Sequence, residues 1–181
     1  MRVQTKHLAL AAVCAALGTV IMYLGSLVEV LDLTTVFAAS LLVIFLQLEL
    51  GGAWPALLWL VTSVLSLLLL PNRFCAFEYA FFGGLYPILK YWIEKLPRLP
   101  AYILKFVAFN VLFAFVMGVS LWFFGMETIT LPVIGTLSPL VYCLILLFLG
   151  NCVFVAYDIL ITRLIRIYFF KFRDKIQRIL K

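Results

Sequence analysis

The chain has 181 residues, 66% of them hydrophobic and 12% charged, with a mean hydropathy of +1.19 and a net charge of +6. A water-soluble domain of this size has too much surface to cover with so few polar side chains, so the composition excludes an ordinary soluble enzyme and makes the bilayer the solvent. The expected fold class is all-α, an integral membrane bundle of six transmembrane helices, because the apolar runs are long and lack the strict alternation of barrel strands.

The first run, at about 7–28, follows the basic start "MRVQTK" and exceeds the apolar core of a usual signal peptide, so it reads as a retained first helix. Five of the twelve residues in "HLALAAVCAALG" are alanine. Ala12 and Ala16 share one helix face, and Ala11 and Ala15 lie one step round. Such small-xxx-small spacing lets two backbones approach closely, within the bundle or against another protein. Glu29 and Asp32 flank the first outer turn, where either solvation or ligand binding accounts for them.

The second and third runs, at about 33–49 and 53–70, are separated by "ELGGAWP". The fourth, at about 74–92, carries Glu78 with Tyr79 beside it and Arg73 just before the span. An ionisable side chain in lipid is expensive and is by default a functional candidate. Glu78 lies roughly 7 Å below the start of its span, at about 1.5 Å per residue, so it either faces an outward cavity or pairs with Arg73.

The fifth run, at about 102–124, contains Asn110, and the sixth, at about 138–162, contains Asn151 near its middle. A buried amide there needs a partner from another helix or a ligand. Tyr142 is placed to line the same outward cavity or to sit at the interface. Asp158 reads as a helix-to-helix partner of Lys105, and Asn110 as structural glue. The four cysteines read as small buried packing residues, the four tryptophans as interfacial belt, and the loop at about 125–139 as a lid or a plain connection.

With a cytoplasmic N-terminus, 13 of the 14 lysines and arginines fall on the inner side and only Arg73 on the outer. Both termini are therefore expected in the cytoplasm. Residues 1–162 form the transmembrane domain, and 163–181, "RLIRIYFFKFRDKIQRILK", a basic amphipathic extension of the last helix that either lies on the anionic leaflet or recruits a partner. A single histidine, no phosphate-binding loop and no paired intramembrane carboxylates argue against an enzyme. No catalytic residue, metal, cofactor or nucleic-acid partner is expected.

A chain of this length with six spans, both ends inside and an alanine stripe in its first helix resembles the S component, the substrate-binding subunit, of energy-coupling factor (ECF) vitamin transporters. "LDLTTVFAASLLVIFLQLELGGAWPALLWLVTSVLSLLL" is similar to that family's acidic outer turn, second helix, inner turn and third helix, and "FEYAFFGGLYPILK" to its small-residue fourth helix. The resemblance implies a multi-pass protein of a bacterial plasma membrane that captures a small vitamin-like molecule. The stripe of Ala11, Ala12, Ala15 and Ala16 would dock on the coupling transmembrane subunit, which is joined to two ABC-type ATPases. The candidate substrate-binding residues are Glu78, Tyr79, Asn151, Tyr142, Glu29, Asp32 and Arg73. Two alternatives stay open: a membrane scaffold of the cell envelope, and a stand-alone permease or flippase.

Overall fold

Each apolar run becomes helical in the computed structural model, which describes residues 2–28, 31–124, 130–131, 135–136 and 139–171. The first three runs form α1 (Arg2–Ser26), α2 (Asp32–Glu49) and α3 (Trp54–Leu69). The fourth divides into α4 (Arg73–Glu78), a π-helical turn (Tyr79–Gly83) and α5 (Leu85–Ile93), and the last two form α6 (Arg98–Phe124) and α7 (Pro139–Lys171). Two antiparallel strands of two residues each, β1 (Thr130–Leu131) and β2 (Gly135–Thr136), complete the described elements.

Four helical segments, Gln4–Ser26, Asp32–Glu49, Arg98–Gly118 and Cys143–Tyr168, are long and apolar enough to cross a membrane. Only 17% of the Cys143–Tyr168 window is buried within the protein, so the rest of that apolar surface needs lipid around it. The other two expected spans differ. α3 has 16 residues, about 24 Å of helix against a hydrocarbon core of about 30 Å. The fourth is interrupted by its π turn. α7, at 33 residues, is about 50 Å long and runs without a break from the sixth apolar run into the basic extension; residues 172–181 lie outside the described part.

Local chemistry sets the turns. Gly51 and Gly52 both adopt left-handed backbone, with φ of 61° and 58°, which reverses the chain between α2 and α3 where a side chain would be strained. Pro55 then sits in the first turn of α3, where its missing N–H leaves no intrahelical bond unmade. Asn72 caps α4 by accepting from the Phe74 N–H at 3.0 Å, and its amide donates to the Asp32 carboxylate, tying the start of α4 to the start of α2.

α1 packs on α2 and α3 through Ala11, Cys14, Ala15, Thr19 and Met22, all buried. A second core gathers Ile44, Tyr86, Phe109, Phe154, Tyr157 and Ile161 from α2, α5, α6 and α7. Tyr157 stacks on Phe37 at 4.2 Å between ring centroids and donates to Ser40 Oγ at 2.6 Å, which fastens α7 to α2. A Cβ on Gly83 would collide with Val36, so α2 and the π turn meet at backbone distance. Two expectations about packing need correction. Cys14 and Cys75 are buried, but Cys152 lies on the exposed face of α7. Trp59 is no belt residue: its indole N–H donates to Ala80 O at 2.8 Å, using a carbonyl inside the π turn, where the backbone ladder is looser.

Candidate functional site

A cavity of about 380 Å³ opens between α2, α4, the π turn, α6 and α7. Its lining runs from Leu33 and Phe74, near the starts of α2 and α4, to an aromatic group of Phe82, Phe109 and Phe154 in mutual ring contact at centroid distances of 4.5–6.3 Å. Phe74, Glu78 and Phe82 recur every fourth residue and so share the face that lines it. Glu78 is the one ionisable group in the lining among the described residues.

The expected alternative, a Glu78–Arg73 pair, is absent among the described residues. All four ion pairs there join Lys90, Glu94, Lys105 and Asp158. The hydrogen bonds of the described residues likewise give the Glu78 carboxylate no partner, and Arg73 is exposed. A half-buried carboxylate without a protein partner, facing an apolar cavity, is suited to a ligand that supplies a cation or a hydrogen-bond donor.

The remaining candidates distribute differently. Asp32 begins α2, next to Leu33 of the cavity lining, and accepts a hydrogen bond from Asn72. Tyr79 is 1% exposed and turned into the α1–α3 core, opposite to its neighbour Glu78, so it does not line the cavity. Asn151 faces Asn110, and the two amides exchange hydrogen bonds at 3.0 and 3.1 Å. That satisfies the buried amide from another helix, although the adjacent Gly150 does line the cavity. Glu29 and the side chain of Tyr142 lie outside the described residues.

The alanines divide as well. Ala11 and Ala15 are buried within the bundle, whereas Ala12 and Ala16 are exposed. A surface for a partner on this helix therefore narrows from four alanines to two.

At the other end of the bundle sits a polar cluster that the sequence revealed only in part. The Asp158–Lys105 pair forms at 3.1 Å, but Asp158 also binds Lys90 and accepts from Tyr86 Oη at 2.7 Å. Glu94 closes the ring, 2.8 Å from Lys90 and 2.7 Å from Lys105. Lys90, one of the cations counted on the inner side, is 2% exposed. The signal was present in "YPILKYWIE", where Tyr86, Lys90 and Glu94 are spaced four apart, a helical-face spacing that runs from α5 to the residue that ends it. Glu94, in the turn after α5, is partly desolvated, which raises its pKa, but Lys105 and Lys90 more than offset this and hold its carboxyl below the usual range.

No protein-family model, curated protein or solved structure matches the chain.

Proposed function

We propose that this protein is the membrane-embedded substrate-capture subunit of an ATP-driven importer of the ECF type, crossing the membrane six times with both termini in the cytoplasm. The observation that carries the reading is Glu78, a carboxylate without a protein partner among the described residues, in an aromatic-walled cavity of about 380 Å³. Its volume suits a small vitamin-like molecule, with the rings packing on an apolar body and the carboxylate fixing its orientation. The concentration of 13 of 14 cations on one side of the six-span reading supports the orientation. That orientation opens the cavity to the outside and puts Ala12 and Ala16 in the inner half of α1, within reach of a coupling subunit.

The test is purification in mild detergent from the native membrane. The importer reading expects two ABC-type ATPases and a coupling subunit with the protein, and a small molecule detected by mass spectrometry that Glu78→Gln fails to retain. Ala12→Leu with Ala16→Leu should release the coupling subunit while leaving the melting temperature unchanged, because both side chains lie outside the core. Recovery of the protein without ATPases, under conditions that keep other transporters whole, refutes the reading. Transport by the protein alone in liposomes favours the permease alternative, and full function of Glu78→Gln favours the scaffold.

A further inference from the structure

A second cavity, of about 410 Å³, lies between α6 and α7 beside the ion ring. Its lining is ordered along the helix axis. Phe106, Phe154 and Val155 form the end towards the membrane centre, and Arg163 and Arg166 form the end where Lys95 and Arg98 also mark the membrane edge. Val155 to Arg166 spans about 16 Å of helix, the depth of a lipid headgroup together with the upper part of its chains.

Within the ring, two ammoniums meet two carboxylates, so its charge is balanced. Arg163 and Arg166 take no part in it. Both are exposed, one helical turn apart, and neither has an ion pair among the described residues. Two guanidiniums at that spacing can grip a phosphate with parallel charge-assisted hydrogen bonds. Tyr102, 60% exposed on α6, adds a hydroxyl at the same wall.

We infer that this groove is a specific site for one anionic phospholipid, with its phosphate on Arg163 and Arg166 and its chains along Phe106, Val155 and Ile159. An amphiphile matches a cavity that is cationic at the membrane edge and apolar towards the hydrocarbon, whereas a free anion would leave the apolar end empty. The inference stands independently of substrate capture.

Native mass spectrometry of the detergent-solubilised full chain tests it, with phosphatidylglycerol, phosphatidylcholine and inorganic phosphate as separate probes. The expected result is one phosphatidylglycerol retained per chain, no comparable retention of phosphatidylcholine, and about thirtyfold weaker binding in Arg163→Gln with Arg166→Gln. The control Lys175→Gln with Arg178→Gln removes the same charge from the tail and should leave retention intact. Equal loss in both double variants overturns the site in favour of general surface attraction. Equal retention of phosphatidylcholine overturns the role of the guanidiniums, and displacement of the lipid by millimolar phosphate overturns the lipid assignment. Unchanged melting of the arginine variant confirms that its loss of lipid is not a loss of fold.

Discussion

Replacing Asp158 with asparagine should be among the most destabilising single changes that preserve side-chain volume. The aspartate receives Lys90, Lys105 at 3.1 Å and the Tyr86 hydroxyl at 2.7 Å, and its side chain is 16% exposed. With asparagine there, two buried ammoniums share Glu94 alone, together with Thr162 Oγ1 at 2.9 Å from Lys90. Removing one member of a buried ion pair costs about 3–5 kcal/mol, because the remaining charge stays desolvated. Glu94 still serves both lysines, so the lower end, about 3 kcal/mol, is expected. Glu94→Gln is the internal comparison. Its side chain is 41% exposed, water can replace it, and the expected loss is about 1 kcal/mol or less. Unfolding in mixed micelles titrated with sodium dodecyl sulfate, followed by circular dichroism, measures both. If Asp158→Asn costs under about 1 kcal/mol, or no more than Glu94→Gln, the ring is not the buried electrostatic unit described above.

Gly83→Ala should lower stability by about 1–3 kcal/mol, since the added methyl collides with Val36. Gly118→Ala, with nothing within 4 Å of the new methyl, should be neutral or stabilising by up to about 1 kcal/mol; thermal melts of the two distinguish close approach from helix propensity. A double-mutant cycle of Asn110→Leu and Asn151→Leu should give a coupling of about 0.6–1.7 kcal/mol, and additivity would show that the amides do not act as a pair. The depressed pKa of Glu94 means that its contribution to stability is fully present above the ordinary carboxylate range and is lost as pH falls through its folded-state value. Acid titration should therefore show a loss in wild type that is smaller in Glu94→Gln.

The positions of the helices were legible because lipid demands long apolar runs and the breaks between them carry glycine, proline and charge. What periodicity could not show was the π turn, since Gly83 and Gly84 read as ordinary small residues until Val36 and Trp59 are placed against them. Glu78 was identifiable as costly in lipid, but its lack of a partner depends on where Arg73 points, and that is a property of the α3–α4 turn. Ala11 and Ala12 are indistinguishable by composition and adjacent in sequence. A rotation of about 100° per residue puts one in the core and the other on the surface. Lys90 shows the same limit: its position at a span end counts it among the inner cations but does not reveal that its partners are Glu94, in the turn after α5, and Asp158 and Thr162 of α7.

The degree to which polar groups are satisfied separates scaffold from site in this molecule. Asn110 and Asn151 satisfy each other, Tyr157 meets Ser40, and the four charges of the ring neutralise one another, so each group secures two helices and leaves little for a ligand. Burial alone would rank Lys90, Tyr79 and Tyr157 above Glu78 as candidates, and that order inverts once partners are counted. Glu78 and the pair Arg163 and Arg166 are the charges that line cavities without a protein counter-ion among the described residues, one anionic and the other cationic, at opposite ends of α6 and α7. A ligand that brings the complementary charge to either place gains an interaction without breaking one already made, whereas a ligand at the ring would first have to displace a buried ion pair.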